Sequence, residues 1–413
     1  MLMTAEFFDI ERARAETPGC ERVLHFDNAG ASLMPQPVLD RVLDHLGLEM
    51  EVGGYAAADA VGDEIEAVYV GLAGLVKGRS SEIALVENAT VAWQMAFHSI
   101  PFQPGDRILT AKAAYASNYI GFLQMARRRG VTVEVIPDDE QGQVSVEALQ
   151  EMMDERVRLV AITHVPTNGG LVNPAAAVGK VAREWDTLYL LDACQSAGQL
   201  PLDVQAIGCD LLSATGRKWL RGPRGTGFLF VREGVLDRLE PPFLDLRGAT
   251  WVARDRYEMR PDARRFENWE KAWANVLGLG TAVAYAQSFG LDNIWARIQQ
   301  LAGRLRDQLR GIPGVTVRDK GAVQGGIVTF TVEGMAAAAV QQHLRQQQIN
   351  VTTSTVRSTR LDMEDRQLAE VVRASIHYFN TEEEIARFCG VIGDLPEQRD
   401  VIARLQQLAN PKK

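Results

Sequence analysis

The middle of the chain alternates short runs of β-branched and other apolar residues with longer amphipathic segments. Each short run has the length and composition of a buried strand. The predicted strands are residues 82–86, 107–110, 131–136, 157–163, 187–191, 210–214 and 227–231. Strands that alternate with helices are typical of a mainly parallel sheet covered by helices on both faces. The pattern therefore predicts an α/β fold for this part of the chain.

Three of the intervening segments, residues 117–129, 146–153 and 174–185, have helical spacing. Ser145 directly precedes the second segment, and we expect its hydroxyl to cap that helix. Asn173 precedes Pro174, an order that favours a capping side chain followed by proline in the first helical turn.

The pattern of apolar and polar residues changes after residue 266. Two long helical patterns, residues 267–288 and 293–309, are followed by short apolar runs that alternate with helical segments. The runs are residues 315–317, 327–332 and 371–375, and the helical segments are residues 336–347 and 382–392. This predicts a small α+β domain over 286–413, a large domain over 26–285, and an N-terminal segment over 1–25 that packs on the small domain.

Composition and charge exclude several classes of protein. The 413 residues are 46% hydrophobic and 23% charged, with a formal net charge of −9, which argues against nucleic acid as the main partner. The N-terminal segment mixes acidic and basic residues and lacks the apolar stretch of a secretory signal. The chain also has no run of about 18 apolar residues that would predict a membrane-spanning helix. Four scattered cysteines form no metal-binding spacing. We expect a cytoplasmic protein with no metal, membrane or nucleic-acid partner.

Two charged residues follow neighbouring predicted strands. Asp192 ends the apolar run at 187–191, and Lys218 follows the strand at 210–214 through a turn of small residues. Ligands of open α/β sheets bind beyond the carboxyl ends of the strands, so both side chains are expected at one crevice. A carboxylate that pairs with a pyridine nitrogen and a lysine that forms a Schiff base are what pyridoxal 5′-phosphate (PLP) requires. An isolated Asp and Lys would more often be a helix cap and a surface cation.

Longer motifs decide between these interpretations. The segments DACQ at 192–195 and SATGRKWLRGPRGTGFLFV at 213–231 resemble the class V aminotransferase fold group. That group includes cysteine desulfurases, selenocysteine lyases, kynureninase-like enzymes and isopenicillin N epimerase-like proteins. Further matches in the same order are HFDNAG at 25–30, ENAT at 87–90, THVPTN at 163–168, RFE at 265–267 and RASIHYFNT at 373–381. The resemblance covers nearly the whole chain and implies the type I PLP-dependent transferase fold, an enzyme and a homodimer.

The resemblance also implies a cofactor site. Lys218 corresponds to the Schiff-base lysine, Asp192 to the partner of the pyridine nitrogen, and Gln195 to the group that hydrogen-bonds the phenolic oxygen of the ring. Tyr115 corresponds to the aromatic residue that stacks on the ring, and with Lys218 and Asp192 it forms the expected catalytic set. The expected phosphate contacts are Ala89, Thr90, Thr215 and Arg217.

Substrate contacts follow from the same resemblance. Arg373 corresponds to the arginine that holds the substrate α-carboxylate, a task suited to a planar bidentate donor. Thr167 or Asn168 takes the place of the family's carboxylate-side asparagine, and Asn28 lies in the first motif. Arg357 adds positive charge near the expected mouth, either for an acidic substrate group or as part of a solvated loop.

One departure bears on the reaction. Cysteine desulfurases carry a mobile nucleophilic cysteine in the segment that corresponds to residues 352–362, and this chain has none there. Cys194, beside Asp192, is expected to be a packing residue. The Gly-Thr-Pro that desulfurases carry after the RFE motif is also absent. The sequence therefore leaves undecided whether one subunit contacts the cofactor phosphate of the other.

These features predict a PLP-dependent lyase of an L-amino acid. The expected reaction is cleavage of a C–S or C–Se bond in a cysteine-like substrate by β-elimination, without a persulfide on the enzyme. An amino-acid epimerase and an aminotransferase of the same fold group are the alternatives, and an inert relative that only binds a ligand is a third.

Overall fold

The computed structural model describes residues 8–395, which form helices and strands in four sheets. The strands are β1 (Leu24–His25), β2 (Ile83–Val86), β3 (Arg107–Ala111), β4 (Thr132–Ile136), β5 (Val157–Thr163), β6 (Leu188–Asp192), β7 (Leu211–Thr215), β8 (Gly227–Val231), β9 (Ala249–Ala253), β10 (Arg256–Met259), β11 (Val315–Val317), β12 (Ile327–Val332), β13 (Ile349–Asn350), β14 (Thr352–Thr355) and β15 (Glu370–Ser375).

The α-helices of the same residues cover the sheets and connect their strands. They are α1 (Ile10–Ala15), α2 (Gln36–Val52), α3 (Gly54–Ala60), α4 (Gly62–Val76), α5 (Ala89–His98), α6 (Ala116–Arg129), α7 (Val146–Met152), α8 (Ala175–Glu184), α9 (Val204–Ile207), α10 (Trp273–Phe289), α11 (Leu291–Arg310), α12 (Ala337–Gln346), α13 (Arg360–Asp365) and α14 (Glu382–Gly393). None of them combines the length and apolar composition needed to cross a bilayer.

The central sheet has seven strands in the order β2-β8-β7-β6-β5-β3-β4. Strands β7, β6, β5, β3 and β4 are parallel to one another, whereas β8 is antiparallel to both β2 and β7. Strands β5 to β8 are almost entirely buried, as expected for a sheet packed on both faces. The predicted α/β class is therefore confirmed, and all seven strand predictions agree with the structure to within one residue at each end.

A second sheet lies in the C-terminal third of the chain, with the order β11-β12-β15-β14 and antiparallel pairing throughout. The N-terminal strand β1 pairs with β13 of this region, and Leu24 and Phe26 lie in its hydrophobic core. The boundary proposed near residue 285 falls inside α10, a helix that packs extensively on α2 and α4. The proposed division into domains stays a prediction.

Some local predictions need correction. Ser145 caps α7 as expected, since its Oγ accepts a hydrogen bond from the Ala148 N–H. Asn173 does not cap α8: its Oδ1 accepts from the Val144 N–H and its Nδ2 donates to the Thr163 carbonyl. Asn173 therefore joins two loops at the sheet edge, and this long-range role takes precedence over local capping.

The helix predicted from residue 267 begins only at Trp273. Glu267 is buried, and its carboxylate accepts hydrogen bonds from the Tyr69 hydroxyl and the Leu85 N–H. These contacts hold the segment that precedes α10, residues 267–272, against β2 in an irregular conformation. The projecting hairpin of β9 and β10 was not predicted from the sequence.

Candidate active site

The carboxyl ends of three adjacent strands form the floor of a cavity of about 590 Å³. Thr163, Asp192 and Thr215 are the last residues of β5, β6 and β7, and the first two are direct cross-strand neighbours. All the predicted cofactor contacts line this cavity, namely Ala89, Thr90, Tyr115, Asp192, Gln195, Thr215, Arg217 and Lys218. Thr167 is the one predicted substrate contact that also lines it.

Asp192 is held by hydrogen bonds at both carboxylate oxygens. Its Oδ1 accepts from the Cys194 N–H at 2.9 Å, and its Oδ2 accepts from Asn118 Nδ2 at 2.7 Å. Burial raises the pKa of Asp192, while these two donors and the charge of Lys218 oppose that rise. The carboxylate is thus oriented before any ligand arrives.

Sequence reasoning did not identify Asn118. It is a buried residue in the first turns of α6, a segment for which the sequence predicted only a helix. One feature of the sequence could have identified it: Asn118 is a polar residue that follows Tyr115 by three positions, at the start of a helix that begins beside the cavity.

Lys218 lies three residues beyond the end of β7, in a turn that is tightly packed. A Cβ atom at Gly216 would lie 2.3 Å from Thr226 Oγ1, so this position accepts only glycine without rearrangement. Lys218 itself is half-buried in the cavity wall, opposite the strand end that carries Asp192. The small residues of the SATGRK motif are therefore explained by the close packing of this turn.

The start of α5 provides an anion site at the other end of the cavity. Asn88 caps the helix through its side chain, which accepts from the Val91 N–H at 3.0 Å. The N–H groups of the first helical residues, Ala89 and Thr90, have no acceptor within the helix. Free N–H groups and the positive end of the helix dipole favour a phosphate at such a position. Arg217, whose guanidinium donates to the Gly30 carbonyl, adds positive charge to the wall.

These residues fit PLP, because each functional group of the cofactor has a matching group in the cavity. The cavity offers an acid for a ring nitrogen, an amine for an aldehyde, and a helix start with hydroxyls and an arginine for a phosphate. In addition, the buried Thr163 Oγ1 in the cavity wall has no hydrogen-bond partner among the described residues. A buried hydroxyl without a partner is costly, and a bound ligand would relieve that cost.

Arg373 lies behind the cavity wall and does not line it. Its Nη1 donates to Thr167 Oγ1, its Nη2 approaches Asp27 Oδ1 at 3.4 Å, and its buried Nε has no partner among the described residues. Burial lowers the pKa of the guanidinium, because a buried cation is poorly solvated. A carboxylate that reached Arg373 would find an incompletely paired cation.

The other predicted substrate contacts lie outside the cavity lining. The amide of Asn28 is engaged on both sides: Nδ2 donates to the Ser375 carbonyl at 2.7 Å, and Oδ1 accepts from Ser32 Oγ. Asn168 Nδ2 donates to Thr359 Oγ1, although its buried Oδ1 has no partner among the described residues. The structure thus gives Asn28 a tie between the N-terminal segment and β15, in place of the expected cavity position.

Arg357 is exposed on the turn between β14 and α13. The next residue, Ser358, accepts a hydrogen bond from the Ala116 N–H through its carbonyl oxygen, so this turn lies beside Tyr115 at the rim of the cavity. Tyr115 is itself 41% exposed. The rim is therefore formed by the start of α6 and a turn of the C-terminal region together.

Cys194 also lines the cavity, next to Asp192. Burial raises the pKa of its thiol, which keeps the sulfur protonated at neutral pH. All four cysteines of the chain are free, and the other three lie outside this cavity. The cavity therefore contains one thiol, in a state that disfavours nucleophilic attack.

Known proteins resemble this chain over almost its whole length. The model of the aminotransferase class-V family matches residues 24–388. A probable cysteine desulfurase of Methanothermobacter thermautotrophicus is 29% identical over 385 residues, which cover 92% of this chain and 96% of that protein. The apo cysteine desulfurase of Thermococcus onnurineus NA1 has a TM-score of 0.87 and 26% identity, covering 95% of this chain and 99% of that one.

A third similar structure is that of the cystine C–S lyase C-DES in complex with its reaction product, cysteine persulfide. It has a TM-score of 0.83 and 26% identity, and the match covers 92% of this chain and 99% of that one. A variant of C-DES has also been solved with glycine covalently linked to its PLP cofactor.

Proposed function

Because the chain belongs to the class-V aminotransferase family and is a PLP-dependent enzyme of desulfurase or C–S lyase type, we propose that it cleaves the C–S or C–Se bond of a cysteine-like L-amino acid. The reaction would be a β-elimination that uses no persulfide on the enzyme. The chain has the type I PLP-dependent transferase fold and uses PLP. The observation that carries the proposal is a cavity that joins Lys218 and Asp192 in a chain with no cysteine in residues 352–362.

When bound, PLP withdraws electrons from the bonds of the substrate α-carbon. Asp192 supplies the negative charge that favours a protonated ring nitrogen, and the Asn118 and Cys194 donors hold that carboxylate in place. Lys218 Nζ both attaches the cofactor and removes the α-proton of the substrate. Tyr115 lines the cavity, and its aromatic ring would stack on the cofactor ring.

Arg373 and Thr167 bind the substrate α-carboxylate in this proposal. The unpartnered Nε of Arg373 and its contact with Thr167, which lines the cavity, support this role. A bidentate grip fixes the α-carbon against Lys218, so that proton removal competes well with escape of the substrate. Asn168 and Arg357 stay candidates for contacts with the substrate side chain.

The elimination is balanced without a cysteine nucleophile. The α-proton passes to Lys218, the Cβ–S bond breaks with its electron pair on sulfur, and the sulfur takes up a proton. Water then converts the remaining three-carbon unit to pyruvate and ammonia. Two observations support this route over a persulfide relay: residues 352–362 contain no cysteine, and the thiol of Cys194 is held protonated.

We further propose a homodimer. Four large apolar side chains lie exposed along one face of α2 at spacings of four, three and four residues, namely Leu39, Leu43, Leu46 and Met50. An exposed stripe of this kind marks a protein–protein interface. Sedimentation velocity on the purified chain tests it, and a single species of 45.5 kDa would contradict it. A cytoplasmic location, expected from the free cysteines, also stays a proposal.

A visible-absorbance titration of the PLP-loaded protein tests the reaction. L-cysteine, its S-conjugates and its sulfoxides are compared with L-alanine and L-glutamate, and pyruvate and ammonia are measured in parallel. We expect the sulfur compounds alone to perturb the cofactor band and to release pyruvate. Mass spectrometry of the enzyme during turnover should find no added sulfur, and Cys194→Ala should retain cleavage.

Two other results would overturn the proposal. A change of substrate chirality without pyruvate would identify an epimerase. A reaction that requires a keto-acid acceptor would identify an aminotransferase.

A further inference from the structure

The residue after Lys218 makes a buried contact with the cofactor-binding glutamine. Trp219 is fully buried, and its indole Nε1–H donates to Gln195 Oε1 at 2.8 Å. On its other side, the amide of Gln195 donates from Nε2 to the Ala29 carbonyl at 3.1 Å. Gln195 lines the cavity, whereas Trp219 does not.

These two contacts fix which way the Gln195 amide faces. An indole N–H can only donate and a backbone carbonyl can only accept, so both contacts are lost if the amide turns over. The amide oxygen must therefore point to Trp219, and the NH₂ group must point to Ala29. One of the two N–H donors is used by Ala29, and the other is left for a ligand in the cavity.

We infer that Trp219 is a positioning residue that orients the Gln195 amide so that it offers an N–H, rather than a carbonyl oxygen, to the phenolic oxygen of the cofactor. Without the indole, both orientations of the amide become accessible, and one of them would place two oxygen atoms against each other. Trp219 thus acts on the cofactor through Gln195, and its effect should vanish when Gln195 is absent.

Trp219 is itself held from the C-terminal region. His377 Nε2 donates to the Trp219 carbonyl at 2.9 Å, while its Nδ1 accepts from the Tyr378 N–H, which fixes the tautomer of the ring. The ring of His377 also packs at 5.2 Å from that of Trp219. The indole therefore has little freedom to leave Gln195.

The test is the pH titration of the visible absorbance of the PLP-loaded protein without substrate. An N–H donor stabilises the anionic phenolic oxygen, so the lysine–cofactor linkage loses its proton at lower pH. In Trp219→Phe we expect the midpoint to rise by about one pH unit, the size of a lost charge-assisted hydrogen bond. Trp295→Phe, a half-buried tryptophan of α11 outside the cavity, serves as the control with an unchanged midpoint.

A double-mutant cycle identifies the route of the effect. Gln195→Ala should raise the midpoint, and adding Trp219→Phe to it should cause no further rise. An unchanged midpoint in Trp219→Phe, or additive shifts in the double variant, would overturn the inference.

A second measurement keeps the inference testable if Trp219→Phe does not fold. In the ¹H–¹⁵N spectrum of the apo protein, which has seven tryptophans, Gln195→Ala should shift one indole N–H resonance. If all seven indole resonances keep their positions, the contact is absent. The inference rests on the proposed role of Gln195 toward PLP and not on the lyase reaction, so a failure to find C–S cleavage leaves these measurements decisive.

Discussion

The proposed cofactor end and the proposed substrate end of the active site are built in different ways. At the cofactor end, side chains come from adjacent strand ends of one sheet and are held by hydrogen bonds, as Asp192 is by Asn118 and Cys194. At the substrate end, Arg373 comes from a different sheet, contacts Thr167 of the cavity wall, and has no partner for its Nε within residues 8–395. The turn that carries Arg357 is exposed.

The difference indicates which ligand each end was selected to hold. A cofactor that stays bound favours groups oriented in advance, because their ordering cost is met once, on folding. A substrate that enters and leaves at every turnover favours donors that are completed only by its own carboxylate. Among the described residues, Arg373 Nε is such a donor, whereas the buried Asn168 Oδ1 could only accept a hydrogen bond from another group of the substrate.

The largest effect is expected at the cofactor end, from Lys218→Ala. This variant loses the amine that both attaches the cofactor and removes the α-proton, and kcat/KM should fall by about 10³-fold or more. Borohydride reduction followed by peptide mass spectrometry measures the attachment. Lys180→Ala, an exposed lysine of α8, is the matched control and should keep the adduct on Lys218. A reducible adduct that persists in Lys218→Ala would show that Lys218 is not the residue that attaches the cofactor. The contrast between the two ends of the site would then lose its basis.

A smaller and different effect is expected at the substrate end. Arg373→Lys keeps the charge but loses the bidentate geometry, and KM should rise by about 100-fold with PLP affinity unchanged. Steady-state kinetics and a PLP titration separate the two quantities. The control is Arg345→Ala, an exposed arginine of α12. If Arg373→Lys instead weakens PLP binding and leaves KM unaltered, Arg373 belongs to the cofactor end.

The same contrast explains how far the sequence predicts this molecule. Asp192, Gln195 and Lys218 line one cavity because each lies at or shortly after the end of a strand, and a parallel sheet brings the carboxyl ends of its strands to one edge. Strand prediction was enough to bring Asp192 and Lys218 to one crevice, whereas Gln195 was named from the resemblance to the class V group.

The substrate end depends on contacts between distant parts of the chain. Asn28 was expected at the substrate, but its amide is taken up by Ser375 and Ser32. Asn118 was missed because a helical pattern does not tell which polar side chain on the helix turns toward a strand end. Both outcomes follow from tertiary packing, which spacing along the chain does not encode.

The smallest effect tests how far the cofactor end is oriented in advance. Asn118→Ala removes one of the two donors to the Asp192 carboxylate, and the dissociation constant of PLP should rise about tenfold. The loss should be greater at acidic pH than at pH 8. Burial already raises the pKa of Asp192, removing a donor raises it further, and a protonated carboxyl cannot pair with a protonated ring nitrogen. Ser117→Ala, on the adjacent half-buried residue, should leave PLP binding unchanged at both pH values. Equal PLP affinity in Asn118→Ala and the unmodified protein would mean that the strand end and the Cys194 N–H are enough to orient Asp192. The hydrogen bond from Asn118 would then contribute nothing to PLP binding.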